Sequence, residues 1–120
     1  MFDWKKPTVQ MLGRWQPWHN GHQKLFEEII KKTGQVNIMV RDVKGVGDNP
    51  FDFKTVEKNI KKALKDFEKR IKITLVPNIT NICYGRGVGY KIEEIVLDEE
   101  TQKISATKIR KKMREEGVLK

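Results

Sequence analysis

The sequence predicts one α/β domain: a single Rossmann-like open parallel sheet of about five strands, flanked by helices. Three observations carry that prediction. Short β-rich runs alternate along the chain with longer segments of helical period. Capping residues bracket the longer segments. The 120 residues, 38% of them apolar, suffice for one modest core without staples, and they contain no repeat, linker or low-complexity tract. Strands alternating with helices imply parallel pairing through right-handed crossovers.

The elements follow in order. "TVQML", Thr8 to Leu12, is a short β-rich run ending at Gly13. From Asn20, "NGHQKLFEEIIKKTG" sets Leu25, Phe26, Ile29 and Ile30 on one helical face, and Gly34 is placed to cap it. "QVNIMV", Gln35 to Val40, reads as a second, buried strand, and "RDVKGVGDNPFD" after it is a glycine- and proline-punctuated loop. Asp52 can cap a helix from Phe53 to about Phe67, in which Val56, Ile60, Ala63, Leu64 and Phe67 recur at helical spacing. Ile71 to Pro77 is a third strand, "NICYG" (81–85) a short fourth, and Lys91 to Asp98 a fifth or a helical turn. The last helix starts at Ser105 as N-cap, has a basic amphipathic body, and stops at Gly117.

Composition narrows the function classes. No apolar run approaches the roughly 20 residues of a membrane helix. The N-terminal "MFDWKKPTVQML" lacks the apolar core and cleavage site of a signal peptide, and the one cysteine, Cys83, can form no internal disulfide. A cytoplasmic location and a small, buried Cys83 are the expectations. The formal net charge of +9 favours negative partners: a nucleotide, a phosphorylated metabolite, nucleic acid or an anionic surface. Lysine-rich stretches such as "KTVEKNIKKALKDFEKRIK" read first as solvated helix faces, so charge alone names no substrate.

Both histidines of the chain lie in "GRWQPWHNGH", Gly13 to His22. That stretch joins the first strand to the first helix, at the carboxyl edge of the predicted sheet, where open parallel sheets bind ligands. A helix N-terminus there offers N–H groups and the positive end of a dipole. Histidines at i and i+3 share one side of the first turn, and Gly21 between them lets a ligand approach the backbone. The arrangement suits a polyphosphate. Zinc fits poorly, because no further histidine and only one cysteine remain to complete its coordination.

The same stretch resembles the Gly-Arg-Phe-x-Pro-Phe-His-x-Gly-His signature of the HxGH nucleotidyltransferase superfamily, with tryptophan at both phenylalanine positions. A second stretch, "ISATKIR" (104–110), is similar to that superfamily's Ile-Ser-x-Thr-x-x-Arg motif, and both stand at predicted helix N-termini. The resemblance implies a nucleotidyltransferase-type fold. It also implies transfer of a nucleoside monophosphate from an NTP to an acceptor phosphate, with release of pyrophosphate. His19, His22 and Arg110 take the catalytic roles by this analogy. Gly13, Arg14, Trp15, Gly21, Ser105, Ala106 and Thr107 take the nucleotide, and Mg²⁺ arrives with the NTP, without a dedicated protein metal cage. Trp18 reads rather as core, and Gln16 is a weaker candidate.

The acceptor side is less legible. Arg41 and Lys44 follow the second strand into the same crevice, and Arg86 sits among Gly85, Gly87 and Gly89; each is a candidate anion contact or a solvated loop residue. These glycines do not form a G-x-G-x-x-G fingerprint, which disfavours a redox dinucleotide. "GRWQPW" and Arg110 resemble the adenylyl-transferring members, so ATP is favoured, while the short chain resembles compact cytidylyltransferases of the glycerol-3-phosphate type. A non-catalytic nucleotide- or RNA-binding module is the alternative from another class. It is disfavoured by core-like aromatics, which also makes nucleic acid a poor partner. A homo-oligomer is compatible with the sequence.

Overall fold

Among the described residues three strands form, and all pair in parallel. In the computed structural model, which describes residues 1–87 and 89–119, they are β1 (Val9–Gly13), β2 (Val36–Arg41) and β3 (Ile71–Val76), in the order β1-β2-β3. Val9 faces Val36 and Val36 faces Ile71, so the three carboxyl ends lie together. The central β2 is buried at four of its six positions and half-buried at the other two, as a parallel strand covered on both faces requires. Its one inner polar residue, Asn37, is satisfied across the sheet: it donates to Gln10 Oε1 at 2.7 Å and accepts from Thr74 Oγ1 at 2.7 Å.

Helix α1 (Asn20–Thr33) connects β1 to β2 and ends at Gly34, whose φ of 84° takes the left-handed conformation that glycine adopts without strain. Helix α2 (Phe53–Ala63) starts at Asp52, which accepts from Thr55 N at 2.9 Å. It ends before the predicted Phe67. A 3-10 turn over Lys65–Arg70 continues the chain and brings the Phe67 ring edge-on to Phe26, with centroids 5.1 Å apart. Phe26, Val36, Ile38, Val56, Ile60 and Leu64 are fully buried and form the centre of the core.

The fourth and fifth strands expected at 81–85 and 91–98 do not appear; among the described residues the sheet has three strands. Neither run can bury a face. Ile82, Tyr84, Ile92 and Val96 are each more than half exposed, Gly85 ends the first run with Gly87 just after it, and Glu93 and Glu94 interrupt the second. Ile95 alone of these apolar side chains rests against the core. Two short elements close the chain: α3 (Glu99–Gln102), which packs on α1, and α4 (Ala106–Glu115). Gly117, with φ of 76°, stands one residue beyond the α4 cap. No helix among the described residues is long and apolar enough to cross a membrane.

Candidate functional site

The segment from Gly13 to His22 turns off the carboxyl end of β1 on a framework of buried side chains. Trp15, only 4% exposed, takes a φ of 55° and folds its ring back over Gly13. A Cβ at Gly13 would stand 2.6 Å from that ring, so glycine is required there by the tryptophan. Trp15 Nε1 donates to Met39 O at 3.1 Å, tying the turn to β2. Buried Gln16 clamps the loop before α2: its Nε2 donates to Phe51 O at 2.9 Å and its Oε1 accepts from Phe51 N at 2.8 Å. The Gln16–Pro17 peptide is cis. Trp18 is buried in the core as expected, with Nε1 on Gln23 Oε1 at 3.2 Å.

On this framework the two histidines cap α1 reciprocally. His19 is the N-cap, and its Nδ1 accepts from Gly21 N at 3.0 Å and from His22 N at 3.4 Å. His22 Nδ1 accepts in turn from His19 N at 3.1 Å. An Nδ1 that accepts from a backbone N–H carries no proton, so each neutral ring holds its hydrogen on Nε2. The rings stack, with centroids 3.6 Å apart and 17° between planes, and His22 also meets Trp15 edge-on at 4.7 Å. Burial, then the neighbouring His19, lowers the His22 pKa to about 3; burial lowers that of His19 as well. At neutral pH the pair therefore presents two uncharged Nε2–H donors.

This geometry revises two expectations. The N–H groups of the first turn of α1 are largely committed: those of Gly21 and His22 serve His19, and that of His19 serves His22. The donors left on the pair are the two Nε2–H groups of the imidazoles. Gly21 is needed because a Cβ there would stand 2.8 Å from the His19 ring, so the glycine clears the histidine rather than a path for a ligand.

The second sequence motif comes to the same place. A cleft of about 400 Å³ lies between α1 and the α3–α4 junction, lined by Asn20, Gln23, Lys24 and Glu27 on one side and Asp98, Glu100, Thr101 and Ile104 on the other; it is acidic, and neither histidine lines it. Ser105 follows directly and caps α4, its Oγ accepting from Lys108 N at 3.4 Å, with Ala106 and Thr107 in the first turn. Arg110, 4% exposed, points back to the histidine loop. Its Nη1 donates to Gln16 O at 2.5 Å, its Nε to Asp48 Oδ2 at 2.9 Å, and its Nη2 to Thr107 Oγ1 at 3.4 Å. A single guanidinium thus fastens α4 to the turn that carries His19.

Comparison with known proteins adds no relative. No protein-family model matches the chain, and no curated protein matches it. The functional reading therefore rests on the residues and their geometry.

The remaining sequence candidates are dispersed. Arg14 is exposed beside the buried Trp15. Arg41, at the end of β2, donates from Nη2 to Asn78 Oδ1 at 2.7 Å, and Lys44 is exposed in the following loop. The crevice they share holds only about 10 Å³. Arg86 is exposed in irregular chain, and added Cβ atoms at Gly85 and Gly87 would meet nothing within 4 Å, so neither glycine serves a close approach. Cys83 is exposed, against the expectation of a buried residue, because the run that holds it joins no sheet. Sequence reasoning passed over Asp48, Asn20 and Gln23. Asp48 pairs with Arg110 across 62 positions, a separation that no local pattern signals.

Proposed function

We propose that the protein is a nucleotidyltransferase that moves a nucleoside monophosphate, AMP in the favoured case, from Mg²⁺–NTP to a phosphate-bearing small molecule and releases pyrophosphate. The observation that carries this reading is the stacked histidine pair at the start of α1. Each ring keeps its hydrogen on Nε2, and Arg110 of the "ISATKIR" segment donates to Gln16 O in the same turn.

The chemistry asks little covalent work of the protein. An acceptor phosphate is ionised at neutral pH and attacks the α-phosphorus in line. As the new P–O bond forms, the bond to the α–β bridging oxygen breaks and its electron pair leaves with pyrophosphate. The protein has to hold two anions close together and meet charge growing on the leaving group. His19 and His22 donate to phosphate oxygens, and the α4 N-terminus behind Ser105 adds backbone dipoles. Arg110 is a positioning residue: through Gln16 O it fixes the histidine turn against α4.

A thermal-shift panel of ATP, CTP, GTP and UTP, each with Mg²⁺, tests the proposal, since a ligand that binds only the native state raises its stability. The expected result is a shift with ATP, followed by pyrophosphate release when phosphorylated acceptors are supplied. A shift with CTP alone transfers the reading to a cytidylyltransferase. No shift with any nucleotide, for a sample that melts cooperatively, overturns it.

A further inference from the structure

The edge of the sheet opposite the histidine pair carries a second surface. The chain enters β1 from a turn over Asp3–Lys6, and a buried glutamine ties that turn down. Gln35, 6% exposed, accepts at Oε1 from Asp3 N at 3.0 Å, and its Nε2 donates to Asp3 O at 2.7 Å and to Thr8 Oγ1 at 2.6 Å. Lys6 N closes the turn on Asp3 O at 3.2 Å, and the Asp3 carboxylate accepts from Lys5 N at 2.9 Å. What this well-tied turn displays is Trp4, 70% exposed, with the Phe2 ring at 77° to it and 5.6 Å away between centroids. That T-shaped contact covers one side of the indole at most, so a face stays open.

Cations gather around it. Lys5 and Lys6 are exposed on the turn itself. Gln35 follows Gly34, whose carbonyl accepts from Arg70 Nε at 2.8 Å, so the 3-10 turn over Lys65–Arg70 and the start of β3 reach the same edge. They bring Lys69, Arg70 and Lys72, all exposed. Among the described residues none of these five cations is in an ion pair: Asp66 and Glu68 share the 3-10 turn yet bond none of them, and the Arg70 guanidinium lies 5.8 Å over the Phe67 ring instead. Lys58, Lys62 and Lys65, exposed at spacings of four and three, lead to this edge along α2 and into the 3-10 turn.

An open indole on a rigid turn, set among unpaired cations, matches one kind of partner. Phosphates of a single strand meet the cations, and an unpaired base stacks on the ring. A duplex offers the phosphates but keeps its base faces stacked. A membrane answers the charge, but insertion needs an apolar face, and one indole between charged neighbours supplies none. The expectation against nucleic acid rested on core-like aromatics; Trp15 and Trp18 are buried, and Trp4 is not. We propose that the amino edge of the sheet docks single-stranded nucleic acid, with one base on Trp4 and the phosphates on Lys5, Lys6, Lys69, Arg70 and Lys72. The strands are parallel, so this surface lies at the far end from His19 and His22 and stands whether or not the histidine site transfers nucleotides.

Fluorescence anisotropy of the full chain with labelled oligouridylate and oligothymidylate of about 12 nucleotides, and with a duplex of the same length, tests this across salt from about 50 to 200 mM. Single strands should bind more tightly than the duplex. Trp4→Ala should weaken them about tenfold at an unchanged salt slope. The double variant Lys5→Gln, Lys6→Gln should lower the log–log salt slope by about 1.4, at roughly 0.7 per phosphate contact. All three side chains are exposed, so both variants should melt as the wild type does. Binding of RNA alone or of DNA alone keeps the proposal and names the strand. No binding of either strand at about 50 mM salt overturns it, and so does equal binding by Trp4→Ala. Trp4-dependent binding to vesicles of phosphatidylserine and phosphatidylcholine in equal parts, with neither oligonucleotide bound, also overturns it and makes this edge a membrane contact.

Discussion

His19 does two separable jobs, and two substitutions separate them. Its Nδ1 caps α1 by accepting from Gly21 N and His22 N, and its Nε2–H is the proposed phosphate donor. His19→Ala removes both. Loss of an N-cap acceptor costs about 1 kcal/mol, within a range of roughly 0.5–2, and the stacked contact with His22 at 3.6 Å goes with it. For a domain of this size each 1 kcal/mol lowers Tm by about 4 °C. His19→Asn keeps an acceptor of the preferred type at the cap and should return most of that stability, but it places no ring N–H where Nε2 was. Removing one preorganised donor to a developing oxyanion typically costs about 10²–10³ in kcat. The expectation is therefore a stable His19→Asn protein with kcat reduced at least a hundredfold, next to a less stable His19→Ala protein reduced as much. Thermal melts and a pyrophosphate-release assay on the same samples decide it. If His19→Asn turns over within about threefold of wild type, His19 is a helix cap and nothing more, and the reasoning from its Nε2–H fails.

Three other outcomes follow from the same geometry. Unfolded histidine titrates near pH 6.5 and His22 in the fold near 3, so below 6.5 the unfolded chain binds a proton that the native state refuses. Stability should fall as pH drops from 6.5 toward 3, by at most about 1.4 kcal/mol per pH unit from this group, and His22→Asn should flatten the profile; a wild-type profile level down to pH 4.5 contradicts the buried, neutral assignment. The Asp48 contribution belongs to a different window, since hydrogen bonds from Arg114 and Arg110 hold its pKa at about 2 and it is lost only below the usual carboxylate range. Gly13→Ala drives a methyl to 2.6 Å from the Trp15 ring and should destabilise by about 1–3 kcal/mol in urea melts. Exposed Cys83 should react with a thiol reagent in the native protein nearly as fast as in urea, and strong native protection would place it inside the fold after all.

What the sequence made legible was whatever depends on short-range pattern. The three strands lie within a residue of their predicted bounds because each is a short β-rich run ending at a glycine, a loop or a proline. Gly34, Asp52 and Ser105 cap as expected because capping is decided by one side chain and its own turn. The runs at 81–85 and 91–98 have strand-like composition, but a strand also needs a neighbour, and composition holds no record of one. The histidine pair was legible as a site, though not its wiring. That each imidazole spends Nδ1 on the other's backbone depends on a loop held by Trp15 on Met39 and by Gln16 on Phe51, contacts 24 and 35 positions long.

The wiring bears on how the proposed reaction would run. A site that stabilises a polyanion through permanent positive charges also retains pyrophosphate, which is more highly charged than the acceptor. The two imidazoles at the start of α1 avoid this, since burial keeps both neutral while each still carries its hydrogen on Nε2. The formal positive charge sits one layer back, on Arg110, and there Asp48 already offsets it. Donors without charge hold an oxyanion most strongly when its charge is concentrated on few oxygens, as on the leaving group at bond cleavage, and less once that charge is shared with Mg²⁺ and water.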